Sequence, residues 1–113
     1  MRAYNLRNGK ELSNSVAVAD SLLKRMKGLL GKKEMLGGEA LWIKPCVSIH
    51  TFFMKFPIEV VFLNKRNQVI AAIRNLRPNR ITRFYLRAAS VLELPAGILE
   101  ATETRIGDKI EIT

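Results

Sequence analysis

Cys46, His50 and Glu59 are the residues whose types invite a chemical reading: the only cysteine, the only histidine, and a carboxylate set in an apolar run, all between Pro45 and Asn64. A cysteine beside a histidine can serve as nucleophile and base. Their spacing argues against that pair, because four extended residues at ~3.3 Å each span about 13 Å, far beyond hydrogen-bond reach. Val47, Ile49 and Thr51 favour extended backbone there, so Cys46 reads as a partly buried structural thiol. One cysteine and one histidine also fall short of the three or four ligands a zinc site needs. No metal, no cofactor and no catalytic residue is expected.

Glu59 poses a different problem. In Ile58-Glu59-Val60-Val61-Phe62-Leu63 it shares a strand face with Val61 and Leu63, while Ile58, Val60 and Phe62 form the other, and both faces are apolar. An isolated buried carboxylate is costly, so Glu59 must be paired, hydrogen-bonded or protonated. Arg25 is the expected partner, since a guanidinium can grip a carboxylate with two hydrogen bonds. A carboxylate with a perturbed environment can also mark a site. His50, Phe52, Met54 and Phe56 share one face of the preceding extended segment and read as core. His50 and Thr51, at the rim of that face, would be the polar groups of a ligand cleft.

The elements that must position these residues are mostly strands. Asn8-Gly9-Lys10 is a hairpin turn between residues 2–7 and 15–19. Leu22, Leu23, Met26, Leu29 and Leu30 make one apolar stripe, predicting an amphipathic helix over about residues 20–31. Asp20 or Ser21 can cap it and Gly31 can end it. Gly28 lies inside it, where a close approach of another backbone would explain the choice. Ala40 to Lys44 is a short strand, Asn64 to Asn67 turns between strands 58–63 and 68–73, and Ser90–Leu94 and Lys109–Ile112 are further strands. The expected fold is mainly β, a small barrel or sandwich of about seven to eight short, mostly antiparallel strands with one helix packed on it.

With 113 residues, 48% of them hydrophobic and 26% charged, the chain reads as a single globular domain, residues 1–113. It has no apolar run long enough to span a bilayer, so no membrane insertion is expected. No secretory leader is apparent and one cysteine suits a reducing compartment, so the expected location is cytoplasmic. The net charge of +9 is concentrated in residues 1–33 and 61–87. The second block carries Arg74, Arg77, Arg80, Arg83 and Arg87 beside Phe84 and Tyr85. Such a segment can neutralise phosphates while an aromatic ring stacks on a base.

Several motifs in order give a resemblance. They are Arg25-Met26-Lys27-Gly28-Leu29-Leu30, Ser48-Ile49-His50-Thr51-Phe52-Phe53-Met54, Pro57-Ile58-Glu59-Val60-Val61-Phe62-Leu63, Val91-Leu92-Glu93-Leu94-Pro95-Ala96-Gly97 and Gly107-Asp108. Over nearly its whole length the chain resembles the bacterial and archaeal family called domain of unknown function 192. The resemblance implies a compact β-rich fold with a packed helix and no reaction. It marks Gly28, Met54, Glu93, Gly97, Gly107 and Asp108 as structural positions, and it usually has aspartate where this chain has Glu59.

The function expected from the sequence is a small binding or accessory module. It would hold an anionic small molecule, a saccharide or a protein segment in a cleft near residues 45–64, with His50, Thr51, Glu59 and Arg25 as binding groups. One alternative is nucleic-acid binding through Arg77, Arg80 and Arg83. Another is a hydrolase or isomerase using Glu59 and His50, which requires both groups within reach of one reacting atom.

Overall fold

A computed structural model describes residues 1–113. The elements in order are β1 (Ala3–Asn5), β2 (Glu11–Ser13), β3 (Ser15–Ala19), α1 (Leu22–Lys27), β4 (Glu39–Ile43), β5 (Ile58–Leu63), β6 (Val69–Leu76), β7 (Ser90–Pro95), α2 (Ile98–Ala101) and β8 (Ile110–Ile112). They form a three-stranded sheet ordered β2-β1-β8 and a five-stranded sheet ordered β3-β4-β7-β5-β6. A bridge between Gln68 and Lys109 links the sheets; they do not close into a barrel.

β5 and β7 lie at the centre of the larger sheet, and every residue in both is buried. That accounts for their apolar character on both faces, as in any strand covered on two sides. One core draws on both sheets through Ala3, Leu12, Trp42, Val61, Leu92 and Ile110. The opposite face of the large sheet packs Ile58, Val60, Phe62 and Val91 against Ile49 and Met54. Alternation along β5 thus sends Glu59 to the first core and its neighbours Ile58 and Val60 to the second, as the sequence pattern requires. Asn64 fixes the β5–β6 hairpin, its Oδ1 accepting from the N–H groups of Arg66 and Gln68.

All but one of the strand pairings are antiparallel. β3 runs parallel to β4, Val16 beside Ala40 and Val18 beside Trp42. Parallel neighbours cannot be joined by a tight turn, so the chain crosses over between them through α1. The helix is shorter than the apolar stripe predicts. Ser21 caps it, its Oγ accepting from the Lys24 N–H at 3.2 Å, and it ends at Gly28 rather than Gly31. Gly28 takes φ +48°, ψ −125°, a conformation that side chains disfavour, and a Cβ there would find space. Backbone conformation, not a close neighbour, explains this glycine. Leu22, Leu23 and Met26 are exposed and only Leu29, beyond the helix, is buried. α2 was not foreshadowed: residues 98–104 read as a connection because four helical residues carry no period.

The smaller sheet is tied to the chain's last turn by Asp108. Its carboxylate accepts from Arg7 Nε at 2.7 Å, Asn5 Nδ2 at 2.8 Å and the Arg105 N–H at 3.0 Å. Gly107 precedes it and donates its N–H to Val69 O. Burial alone would raise the Asp108 carboxyl, but the bonds from Arg7, Asn5 and Arg105 overcome that and hold it at about 2. A carboxyl lower in the folded than the unfolded chain contributes stability that is complete above its unfolded value and lost as pH falls through the folded one. Chemical denaturation followed between pH 5 and pH 2 should therefore show wild-type stability falling from about pH 4 to about 2. Asp108→Ala should be about 2 kcal/mol less stable at neutral pH, having stranded three donors, and should lose that acid-dependent component.

Candidate functional site

The crossover leaves a cleft between α1 and the sheet. It encloses about 500 Å³ and is lined mainly by apolar side chains, among them Leu22, Met26, Ile49, Met54 and Phe84, with Arg25, Cys46, His50 and Glu93 as polar members. Its floor is β7, where Val91 and Glu93 point away from the face that carries Leu92 and Leu94. Its far wall is the segment from Pro45 to His50, held to the basic loop by backbone bonds Tyr85 N–H to Val47 O, Thr82 N–H to Ile49 O and Thr51 N–H to Arg80 O.

Glu93 is the chemically unusual member. It is 3% exposed and sits between Leu41 of β4 and Val60 of β5. Its carboxyl makes no hydrogen bond and no ion pair, yet its oxygens remain reachable from the cleft. Burial without a partner raises the carboxyl to about 8, so at neutral pH it is mostly a neutral acid. Sequence reading placed Glu93 among structural positions. A single glutamate at an inward position of an apolar strand was the available signal, the same one that singled out Glu59.

Arg25 faces the same cleft from α1. Its Nη1 donates to Pro45 O at 3.2 Å, and its Nε is buried with no acceptor. No carboxylate lies within ion-pair distance of it. The expected pairing of Arg25 with Glu59 is therefore absent, for a topological reason: the two residues belong to opposite faces of the large sheet. Glu59 is satisfied instead by backbone donors, Oε1 accepting from the Leu99 N–H at 2.8 Å and Oε2 from the Asn75 N–H at 3.3 Å. It binds the first turn of α2, whose entry is turned by Gly97 at φ +95°, and the end of β6.

His50 lies at the cleft rim, exposed, with Nδ1 accepting from the Phe52 N–H at 3.3 Å and its ring stacked on Phe52 at 5.2 Å. The sheet separates it from Glu59, so the hydrolase or isomerase pairing has no common reacting atom. Cys46 also lines the cleft, but its Sγ donates to Ser48 O at 3.1 Å and makes no bond to His50. Burial, reinforced by the nearby Glu93, pushes the thiol above its ordinary value, the opposite of what activates a nucleophile. Thr51 is fully buried, its Oγ1 donating to Arg77 O at 2.6 Å and accepting from the Arg80 N–H at 2.9 Å. It anchors the basic loop. Arg77, Arg80 and Arg83 are exposed on that loop, while Tyr85 turns inward onto Phe62 with ring centres 4.3 Å apart.

The model of the family described as Uncharacterized ACR, DUF192, matches residues 4–112. A UPF0127 protein of Pyrococcus furiosus is 33% identical over 95% of this chain and 94% of its own. A UPF0127 protein of Pyrococcus horikoshii is 37% identical over 85% of each. Among solved structures, a proposed transcription regulator from Sinorhizobium meliloti superposes with a TM-score of 0.83 at 20% identity, over 97% of this chain and 89% of that one. A protein of unknown function from Novosphingobium aromaticivorans gives 0.78 at 18% identity, over 99% and 93%. At these identities the structural likeness is one of fold.

The two buried glutamates should respond differently to substitution. Glu59→Ala strands the Leu99 and Asn75 N–H groups and should lower stability by about 1–3 kcal/mol in urea titrations. Glu59→Gln keeps an acceptor and should lose less. Relative to wild type, Glu93→Gln, which removes an unpaired acid, should gain stability progressively as pH rises from about 4.5 to about 8, be the more stable protein already at pH 7, and level off above pH 8. The sign follows because a carboxyl raised on folding contributes stability below its unfolded value and loses it as pH rises through the folded one.

Proposed function

The chain belongs to the DUF192 family, and we propose that this member works as a small-molecule binding module whose site is the cleft between α1 and β7. The observation that supports the reading is Glu93: a buried, unbonded carboxyl that stays reachable from a cleft of about 500 Å³. Buried polar groups are ordinarily satisfied, and one left open at the bottom of an apolar concavity is the arrangement of a ligand site, where few polar groups fix orientation and apolar walls supply area. The volume suits a ligand of modest size. The sparse polar lining fits an apolar body better than a saccharide, whose hydroxyl groups would each need a partner.

A fragment screen by methyl NMR tests this. Bound fragments should shift the methyl resonances of Met26, Ile49 and Met54, and Val47→Trp, which fills the cleft from its far wall, should weaken them at least tenfold with the fold intact by circular dichroism. Shifts confined to other surfaces, or no binding fragment at all, would reject the cleft as the site.

A second reading is favoured by the basic loop. Arg74, Arg77, Arg80, Arg83 and Arg87 are all exposed, none pairs with a carboxylate, and Phe84 beside them is 66% exposed. This surface has the charge and the free ring to bind single-stranded nucleic acid. Anisotropy titrations with a fluorescent oligonucleotide should show affinity falling steeply with salt. Replacing Arg77, Arg80 and Arg83 with alanine should flatten the log–log slope by about 2, at ~0.7 per phosphate contact. Unchanged affinity in that variant rules the loop out.

A further inference from the structure

The polar groups of the cleft specify the charge of what enters it. A guanidinium carries five N–H donors, and Arg25 uses one of them, Nη1, on Pro45 O. Its Nε–Nη2 edge has no acceptor, and Nε is buried in that condition. That edge presents two parallel donors at the spacing of the two oxygens of a carboxylate. Across the cleft, Glu93 offers no resident negative charge while it is protonated, and it makes no bond to Arg25. From the site to its mouth, the fixed charges on the cleft wall are Arg25 and Lys27, both cations. Apart from Cys46, Ser48 and His50, the rest is mainly apolar, with Leu22, Met26, Leu29, Ile43, Ile49 and Met54 as its large side chains.

We propose that the ligand of this cleft is an amphiphilic carboxylate, its carboxylate taken by the unfilled Nε–Nη2 edge of Arg25 and its hydrocarbon body laid along Leu29, Ile49 and Met54. The inference rests on the cleft being a binding site and adds the chemical class. An ammonium ligand is disfavoured by the two wall cations, and a neutral alcohol leaves the guanidinium edge half filled. Each methylene buried by a hydrocarbon of six to eight carbons should tighten binding about fourfold, so chain length and charge are separable in the measured affinity.

Glu93 makes the affinity depend on pH. The titratable and charged groups that share the cleft with it are Arg25 and Lys27 from α1 and Cys46 and His50 from the 45–50 segment. From β4 and β5 its cross-strand neighbours are Leu41 and Val60. When Glu93 loses its proton, near pH 8, it places a negative charge in the same low-dielectric space as the ligand's and expels it. If only the protonated form binds, about one molecule in eleven remains competent at pH 9, a loss of roughly tenfold.

Titration calorimetry with octanoate, octylammonium and octanol as probes decides the matter. Octanoate should bind at pH 6.5 at least tenfold more tightly than the other two. Arg25→Ala should abolish that preference, weakening octanoate at least tenfold and octanol far less; α1 buries no residue, so the variant folds. Raising the pH to 9 should weaken octanoate about tenfold in the wild type and leave it unaltered in Glu93→Gln, which also separates Glu93 from His50 as the titrating group. Tighter binding of octylammonium, with affinity rising toward pH 9, overturns the carboxylate assignment in favour of a cation held by ionised Glu93. A cleft that takes apolar fragments in the methyl NMR screen but shows no preference for octanoate also overturns it, with the binding-site reading intact. Absence of any ligand in the cleft defeats both.

Discussion

The parallel pairing of β3 with β4 is the constraint from which the rest of the arrangement follows. An antiparallel neighbour could have been reached by a tight turn along the sheet edge, and the face of the sheet would have been left for a flat core. A parallel neighbour obliges the chain to leave the sheet, travel back over it and re-enter at the same end. α1 is the helical part of that return path. Because the path starts at Ala19 on the edge strand β3 and ends at Glu39 on its neighbour β4, it passes beside β7 without sealing it. The space beneath is the cleft, and Glu93 is the residue of β7 that opens into it.

Two carboxylates in adjacent central strands show how strictly the pleat sorts chemistry. Glu59 stands opposite Leu94 and Glu93 stands opposite Val60, so one step along either strand moves from one face of the sheet to the other. On one face the carboxylate meets the N–H groups of Leu99 and Asn75 and becomes a fastening between β5, β6 and α2. On the other it meets hydrocarbon and open space. Identical side chains in similar sequence surroundings acquire opposite roles, and the difference lies in which donors the topology brings to each face.

That difference also marks how far a linear reading reaches. Seven of the eight short strands were legible because alternation and turn chemistry are local: Asn8-Gly9 and Asn64 to Asn67 set their hairpins by their own backbone preferences. The partner across Asn8-Gly9 was misread, because β1 pairs with the three-residue β2, too short to show alternation, while residues 15–19 leave for the other sheet and pair with β4. The motifs around Arg25, His50 and Glu59 were legible as a family pattern. The assignment of Glu59 to the same strand face as Val61 and Leu63 was also correct. Its partner was not legible, since Leu99 is forty positions away and donates from the backbone, which leaves no trace in side-chain type. The apolar stripe of α1 misled on depth for a related reason: a 3.6-residue period reports that one side is apolar, and it is the same whether that side is packed or lines a cleft. Glu93 escaped notice as a site because its distinguishing property is a missing partner.

The shallow seating of α1 has a kinetic consequence. Its residues are not part of either core, so raising it from the sheet removes little apolar contact from the folded chain, and the backbone bonds within one and a half turns are the main resistance. Opening of that segment belongs to the low end of the range of local free energies, while β5 and β7 open only with the molecule as a whole. Amide exchange would therefore divide the protein into a slow centre and a fast rim over residues 21–28, short of Leu29, which is held in the core. The segment that borders the cleft opens at the pace of the rim, with the lifetime of the fold set elsewhere.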